Sequence, residues 1–289
     1  MAREARMNDR SGALLAKEYN NRELVPDHAR YFARWQEDSA RARSRMACAL
    51  DVRYGEQPGE TLDFFPAGKG DGRCMMFIHG GYWRSLGKSD FSYLAPAFVD
   101  AGVSLAVVNY DLCPKVTMEE IVRQMLRASR WLWRHAEEHG VDRDRLYVSG
   151  HSAGGHLTAM LMCALWPSFD PALPRDLWKG GLAISGLYDL RPLLSVDFLQ
   201  QDLRLDEAAA LRLSPAFLPP ATRAPVMTCV GGGESSEFRR QNGLLRERWS
   251  TFAGDVAMPG KNHFSVIDAL AEPASPLFAA ALRLMNLAA

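Results

Sequence analysis

The chain has 289 residues but only five cysteines, Cys48, Cys74, Cys113, Cys163 and Cys229, and no C-x-x-C. An odd, scattered set without paired spacing argues against a disulfide scaffold and a cysteine-built zinc site. It fits reduced, mostly buried thiols in a cytoplasmic protein, and Cys74, Cys163 and Cys229 lie in apolar runs. An excess of one charge sign is also lacking, with 34 Lys and Arg against 34 Asp and Glu. That balance gives no general attraction to nucleic acid or an anionic membrane, and neither is expected as a partner. No run of about 18 residues is apolar enough to span a bilayer. The first ten residues are polar and do not read as a secretory signal. There is no H-E-x-x-H, and His151 and His156 are five apart, off a common helical face. A zinc amidohydrolase is therefore disfavoured, and no metal or cofactor is expected. Gly231-Gly232-Gly233 lacks the G-x-G-x-x-G spacing of a dinucleotide fingerprint.

What is present suits one α/β domain over 1–289. The composition, 47% hydrophobic and 24% charged, is ordinary for a globular chain of this length. Residues 1–46 form a charged, helix-rich extension in which Pro26-Asp27 opens a helix to about Met46, with Tyr31, Phe32 and Trp35 as its apolar residues. Its alternating charges read as a solvated face. Residues 49–54 and 61–65 suit an antiparallel strand pair at one edge. From Cys74 the pattern becomes short, doubly apolar runs at 74–78, 103–108, 145–149, 181–185 and 225–230, with a last strand at 255–258. Helices fall between them, notably about 118–139, where Thr117 and Glu120 give a capping-box pattern, then after Ser235 to about Phe252, and from Pro276 to Leu287. This predicts a mostly parallel, doubly wound sheet with helices on both faces. Residues 187–222, interrupted by Pro192, Pro215, Pro219 and Pro220, break the rhythm and are predicted to form a cap or lid near the substrate site.

The chemistry centres on Gly150-His151-Ser152-Ala153-Gly154, which fits G-x-S-x-G between a strand and an apolar helix predicted over 156–166. A strand–turn–helix would place Ser152 on a strained elbow with its hydroxyl exposed, the flanking glycines easing the turn. A serine hydroxyl needs a base and a group that orients the base. Glu234 follows the strand at 225–230, and His263 lies in a loop after the last strand, so Ser152, Glu234, His263 run in the order this arrangement requires. Glu237 competes with Glu234 but could simply stabilise a helix start. An oxyanion hole is expected from the N–H groups of Gly80, Gly81 and Ala153. Tyr82, Trp83, Tyr110 and Tyr188 are candidate walls for an aromatic substrate.

These motifs resemble the α/β-hydrolase superfamily. Within it, His79-Gly80-Gly81-Tyr82-Trp83 together with Gly150–His156 is similar to the kynurenine formamidase (arylformamidase) family, near the hormone-sensitive-lipase-like esterases. Asn109–Pro114, Ser185–Leu190 and Glu234–Gln241 add to the likeness. Glu234 stands where that family usually carries Asp; one further methylene still lets a carboxylate hold an imidazole. The resemblance implies hydrolysis of N-formyl-L-kynurenine to formate and kynurenine, a step of tryptophan degradation. A general carboxylesterase for small acyl or aryl esters is the alternative, and a catalytically inactive binding protein on the same fold a more distant one. A small molecule is the expected partner. A homodimer is compatible with the sequence, which does not set the oligomeric state.

Overall fold

The computed structural model describes residues 12–288. Eight strands form one sheet: β1 (Ala49–Arg53), β2 (Thr61–Phe65), β3 (Cys74–Ile78), β4 (Ser104–Val108), β5 (Leu146–His151), β6 (Gly181–Ile184), β7 (Val226–Gly231) and β8 (Phe252–Met258). Their spatial order is β1-β2-β4-β3-β5-β6-β7-β8. β2 runs antiparallel to both β1 and β4, and every pair from β4 to β8 is parallel. This is the α/β-hydrolase arrangement predicted from the run of doubly apolar strands.

Strand alternation explains why those runs look uniformly apolar. In β3, Cys74, Met76 and Ile78 enter one core while Met75 and Phe77 enter the other. β4 divides likewise, Ala106 and Val108 against Leu105 and Val107. Both faces are covered, as side chains with a period of two require. Helices α2 (Met118–His135), α3 (Ala153–Met162) and α6 (Ser236–Arg248) supply residues to the first face, among them Ile121, Met125, Leu157 and Phe238. Helices α1 (His28–Arg45) and α7 (Pro276–Leu284) supply Trp35, Leu277 and Phe278 to the second.

Local chemistry sets the helix ends. The Thr117 hydroxyl accepts from the Glu120 N–H at 3.2 Å, the half of the capping box that the backbone needs. The Glu120 side chain instead binds Arg127 at 2.5 Å, so the reciprocal half is not made. α2 then tightens into a 3₁₀ turn, Glu137–His139, and ends at Gly140 in the left-handed region (φ 68°). Residues 187–222 contain two short helices, α4 (Asp197–Leu203) and α5 (Glu207–Arg212), flanked by 3₁₀ turns at Arg191–Ser195 and Pro215–Phe217.

The chain leaves β3 for β4 on one side and later returns to β5 on the other. Such a reversal opens a crevice beyond the carboxyl ends of the central strands. The loop after β3 carries Gly80 and Gly81, and the turn after β5 carries Ser152.

Candidate active site

Ser152 occupies the turn between β5 and α3 with φ 57° and ψ −117°. A non-glycine residue seldom adopts a positive φ, and it persists only where the surroundings hold it. The Ser152 N–H donates to the Ile184 carbonyl at 2.8 Å and its own carbonyl accepts from His156 N–H at 3.1 Å. The flanking glycines ease the turn as expected, by the absence of a Cβ and not by a positive φ, which neither takes. They permit close packing: a Cβ on Gly154 would lie 1.9 Å from the Ile78 carbonyl oxygen, and one on Gly150 2.3 Å from that of Gly154. β5 runs through His151 and the helix starts at Ala153, earlier than the predicted 156.

Ser152, His263 and Glu234 come together from three loops. His263 Nε2 lies 3.0 Å from Ser152 Oγ, and Nδ1 lies 2.6 Å from Glu234 Oε2. All three side chains are buried. Glu234 is fixed by its other oxygen, which accepts from Ser185 Oγ at 2.5 Å and Gly231 N–H at 2.8 Å. The alternative carboxylate, Glu237, is occupied elsewhere: it accepts from Tyr19 Oη and pairs with Arg240, each at 2.8 Å.

His151 was not expected at this site. Its Nε2 lies 2.8 Å from the His263 carbonyl, and its ring lines the same cavity as Ser152. Burial, then the neighbouring His263, holds its pKa well below the usual imidazole range. His151 is thus a neutral ring whose Nε2–H donates to the His263 backbone. His156 points away, its Nε2 2.7 Å from the Leu213 carbonyl, so the two histidines do not converge. Among the described residues, no group of three His, Cys, Asp or Glu side chains has a metal-binding arrangement.

The loop after β3 lies against Ser152. A Cβ on Gly80 would stand 3.1 Å from the Ser152 Cβ, and one on Gly81 (φ 107°) 2.0 Å from the Ser85 carbonyl oxygen. The Gly81 and Ala153 N–H groups donate to no acceptor among the described residues. Free, preorganised N–H groups beside a nucleophile are what a developing oxyanion requires.

A cavity of about 420 Å³ opens over Ser152 and His263, within the range of about 300–1,000 Å³ common to small-molecule sites. Of the four aromatic residues proposed as its walls, only Tyr82 lines it. Trp83, Tyr110 and Tyr188 are core residues. Tyr82 and Trp83 both take positive φ (50° and 56°). Tyr82 meets the cavity and donates its hydroxyl to the Tyr19 carbonyl at 2.6 Å, whereas Trp83 is fully buried, its ring edge-on to His156 at 5.1 Å. Tyr110 supports the loop from beneath, stacked on His79 at 4.2 Å with its hydroxyl on the His79 carbonyl at 3.0 Å. Tyr188 is buried with its hydroxyl toward the Ala183 carbonyl, at 3.4 Å. The aromatic walls are instead Phe32 and Trp35 of α1, Phe198 of α4, and Phe264 beside the histidine. The run Tyr31-Phe32-x-x-Trp35 was the available signal. Its apolar spacing suited core packing equally well, and Trp35 does both.

A serine on a strand–helix elbow, hydrogen-bonded through His263 to a carboxylate on a mostly parallel eight-stranded sheet, makes this a serine-type α/β-hydrolase. The BD-FAE family profile matches residues 62–169. The kynurenine formamidase of Salmo salar is 33% identical over 82% of this chain and 82% of its own length. That of Danio rerio is 32% identical over 80% of each. The chain belongs to the kynurenine formamidase family. Among solved structures, a candidate thioesterase from Silicibacter sp. TM1040 superposes with a TM-score of 0.82 at 33% identity, covering 91% of this chain and 97% of that one.

Proposed function

We propose that this chain hydrolyses the formamide bond of N-formyl-L-kynurenine, releasing formate and L-kynurenine in tryptophan degradation. The observation that carries the reading is the Ser152–His263–Glu234 line, with its 3.0 and 2.6 Å contacts, at the floor of an aromatic-lined cavity. His263 Nε2 takes the Ser152 proton as Oγ attacks the formyl carbon. The N–H groups of Gly80, Gly81 and Ala153 hold the resulting oxyanion, each donor typically contributing about 3–4 kcal/mol to the transition state. Protonated His263 then gives its proton to the aryl nitrogen, the C–N bond breaks, and L-kynurenine leaves as the free amine. Water, deprotonated by His263, attacks the formyl ester; formate departs and Ser152 regains its proton. Glu234 holds the imidazole in the required tautomer and stabilises its charged form.

A formyl group suits the acyl side. The Gly80 backbone lies close to Ser152, where a Cβ on Gly80 would stand 3.1 Å from the Ser152 Cβ. The larger aryl leaving group has the cavity. Hydrolysis of small acyl or aryl esters is the second reading, supported by the likeness to an ethyl acetate hydrolase of Pseudomonas putida, 36% identical over 44% of this chain. A fluorophosphonate probe tests the nucleophile: the label is expected on Ser152, and Ser152→Ala is expected to lose both labelling and formate release. Undiminished formate release by Ser152→Ala would overturn the mechanism.

A further inference from the structure

Resting on that reading, we propose that Asn21, Arg22 and Glu23 form a polar rim that recognises the α-amino-acid head of the substrate, its carboxylate and its ammonium. This rim would make the enzyme selective for aryl formamides that carry a zwitterion. All three residues line the mouth of the cavity whose floor is Ser152. Asn21 is 4% exposed, yet its Nδ2 has no hydrogen-bond partner among the described residues. A buried amide donor without an acceptor is costly to a folded protein, and a carboxylate or ketone oxygen in the cavity supplies one.

The charges beside Asn21 complete the match. Arg22 and Glu23 are exposed at the rim, and neither has an ion-pair partner among the described residues. The Arg22 guanidinium lies over the Phe32 ring at 5.6 Å, which places a cation directly above an aromatic wall of the cavity. The other cavity-lining arginine, Arg84, is engaged: it donates to Asp202 Oδ2 and to the Phe198 carbonyl, both at 2.6 Å. Arg22 therefore remains to receive a carboxylate, with Glu23 adjacent for an ammonium. An arene held between Phe32 and Phe198 sets the formamide toward Ser152 and the head toward this rim.

The test compares N-formyl-L-kynurenine with ortho-formamidoacetophenone, which keeps the arene, the ketone and the formamide but lacks the amino-acid head. The wild-type enzyme is expected to favour the first in kcat/KM. Arg22→Ala should lower the ratio of the two kcat/KM values about tenfold, through KM for the headed substrate. Arg22→Lys should recover part of that loss, since an ammonium keeps the charge but not the paired donors. Arg22→Glu should lower the ratio further, and Glu23→Gln more mildly. A wild-type enzyme that cleaves both formamides, with a ratio unmoved by these substitutions, overturns the proposal and leaves the formamidase reading standing. Cleavage of neither formamide overturns that reading, and the proposal with it.

Discussion

Glu234 and Glu237 lie three residues apart, yet only one can assist His263. Position along the chain favoured Glu234, which follows the strand directly; the geometry explains the preference. Glu234 accepts from His263, Ser185 and Gly231, whereas Glu237 is held by Tyr19 and Arg240. Glu234→Gln keeps the shape but can present an amide N–H where Nδ1–H needs an acceptor, so kcat should fall by about a hundred- to ten-thousandfold. Glu237→Gln should change it by less than about threefold, an exposed ion pair with Arg240 being worth little. Steady-state kinetics on both variants decides the matter, and equal losses would contradict the assignment. Ser185 lies in a segment that carries the family likeness, but a serine following a strand does not by itself point to the carboxylate it binds. Ser185 is placed by the adjacency of β6 and β7, which neighbouring segments of sequence do not reveal.

Elements were legible where their chemistry is local. The central strands were recognisable from short apolar runs, and the ends of α2 from Thr117 and Gly140. The site's framework followed from the elbow and from the order of serine, acid and histidine. The cavity wall was not legible, because aromatic residues in a core and in a pocket have the same local pattern. Trp83, Tyr110 and Tyr188 proved to support the loop and core from within. The wall comes instead from α1, which is far away in sequence, and from α4. Trp35 links the two roles: it is 1% exposed, donates from Nε1 to Asp268 at 2.7 Å, and borders the cavity. Trp35→Ala should destabilise the protein by about 3–5 kcal/mol and raise KM for the aryl formamide. Urea unfolding read beside KM tests this, and a variant of unchanged stability would mean that α1 is not anchored through this ring.

At the scale of the whole molecule, buried histidines tie the fold to pH. Burial pushes His79 and His156 down to about 4, while an unfolded imidazole titrates near about 6.5. Between these values the unfolded chain binds protons that the folded chain refuses, so stability falls as pH drops from about 6.5 toward 4. Each histidine contributes up to about 1.4 kcal/mol per pH unit in that window, and nothing above it. Thermal unfolding at neutral and mildly acidic pH should show the decline, and His156→Gln should make it shallower; parallel curves for the two proteins would contradict this origin. The same molecule sets Ser152 and His263 in one cavity with the aromatic side chains of Phe32, Trp35, Phe198 and Phe264, a lining suited to an aryl leaving group. The most direct test is the ratio of kcat/KM for N-formyl-L-kynurenine to that for p-nitrophenyl acetate on the wild-type enzyme. A ratio well above one is predicted, despite the greater intrinsic reactivity of the ester; strong ester turnover beside negligible formamide turnover would contradict the account.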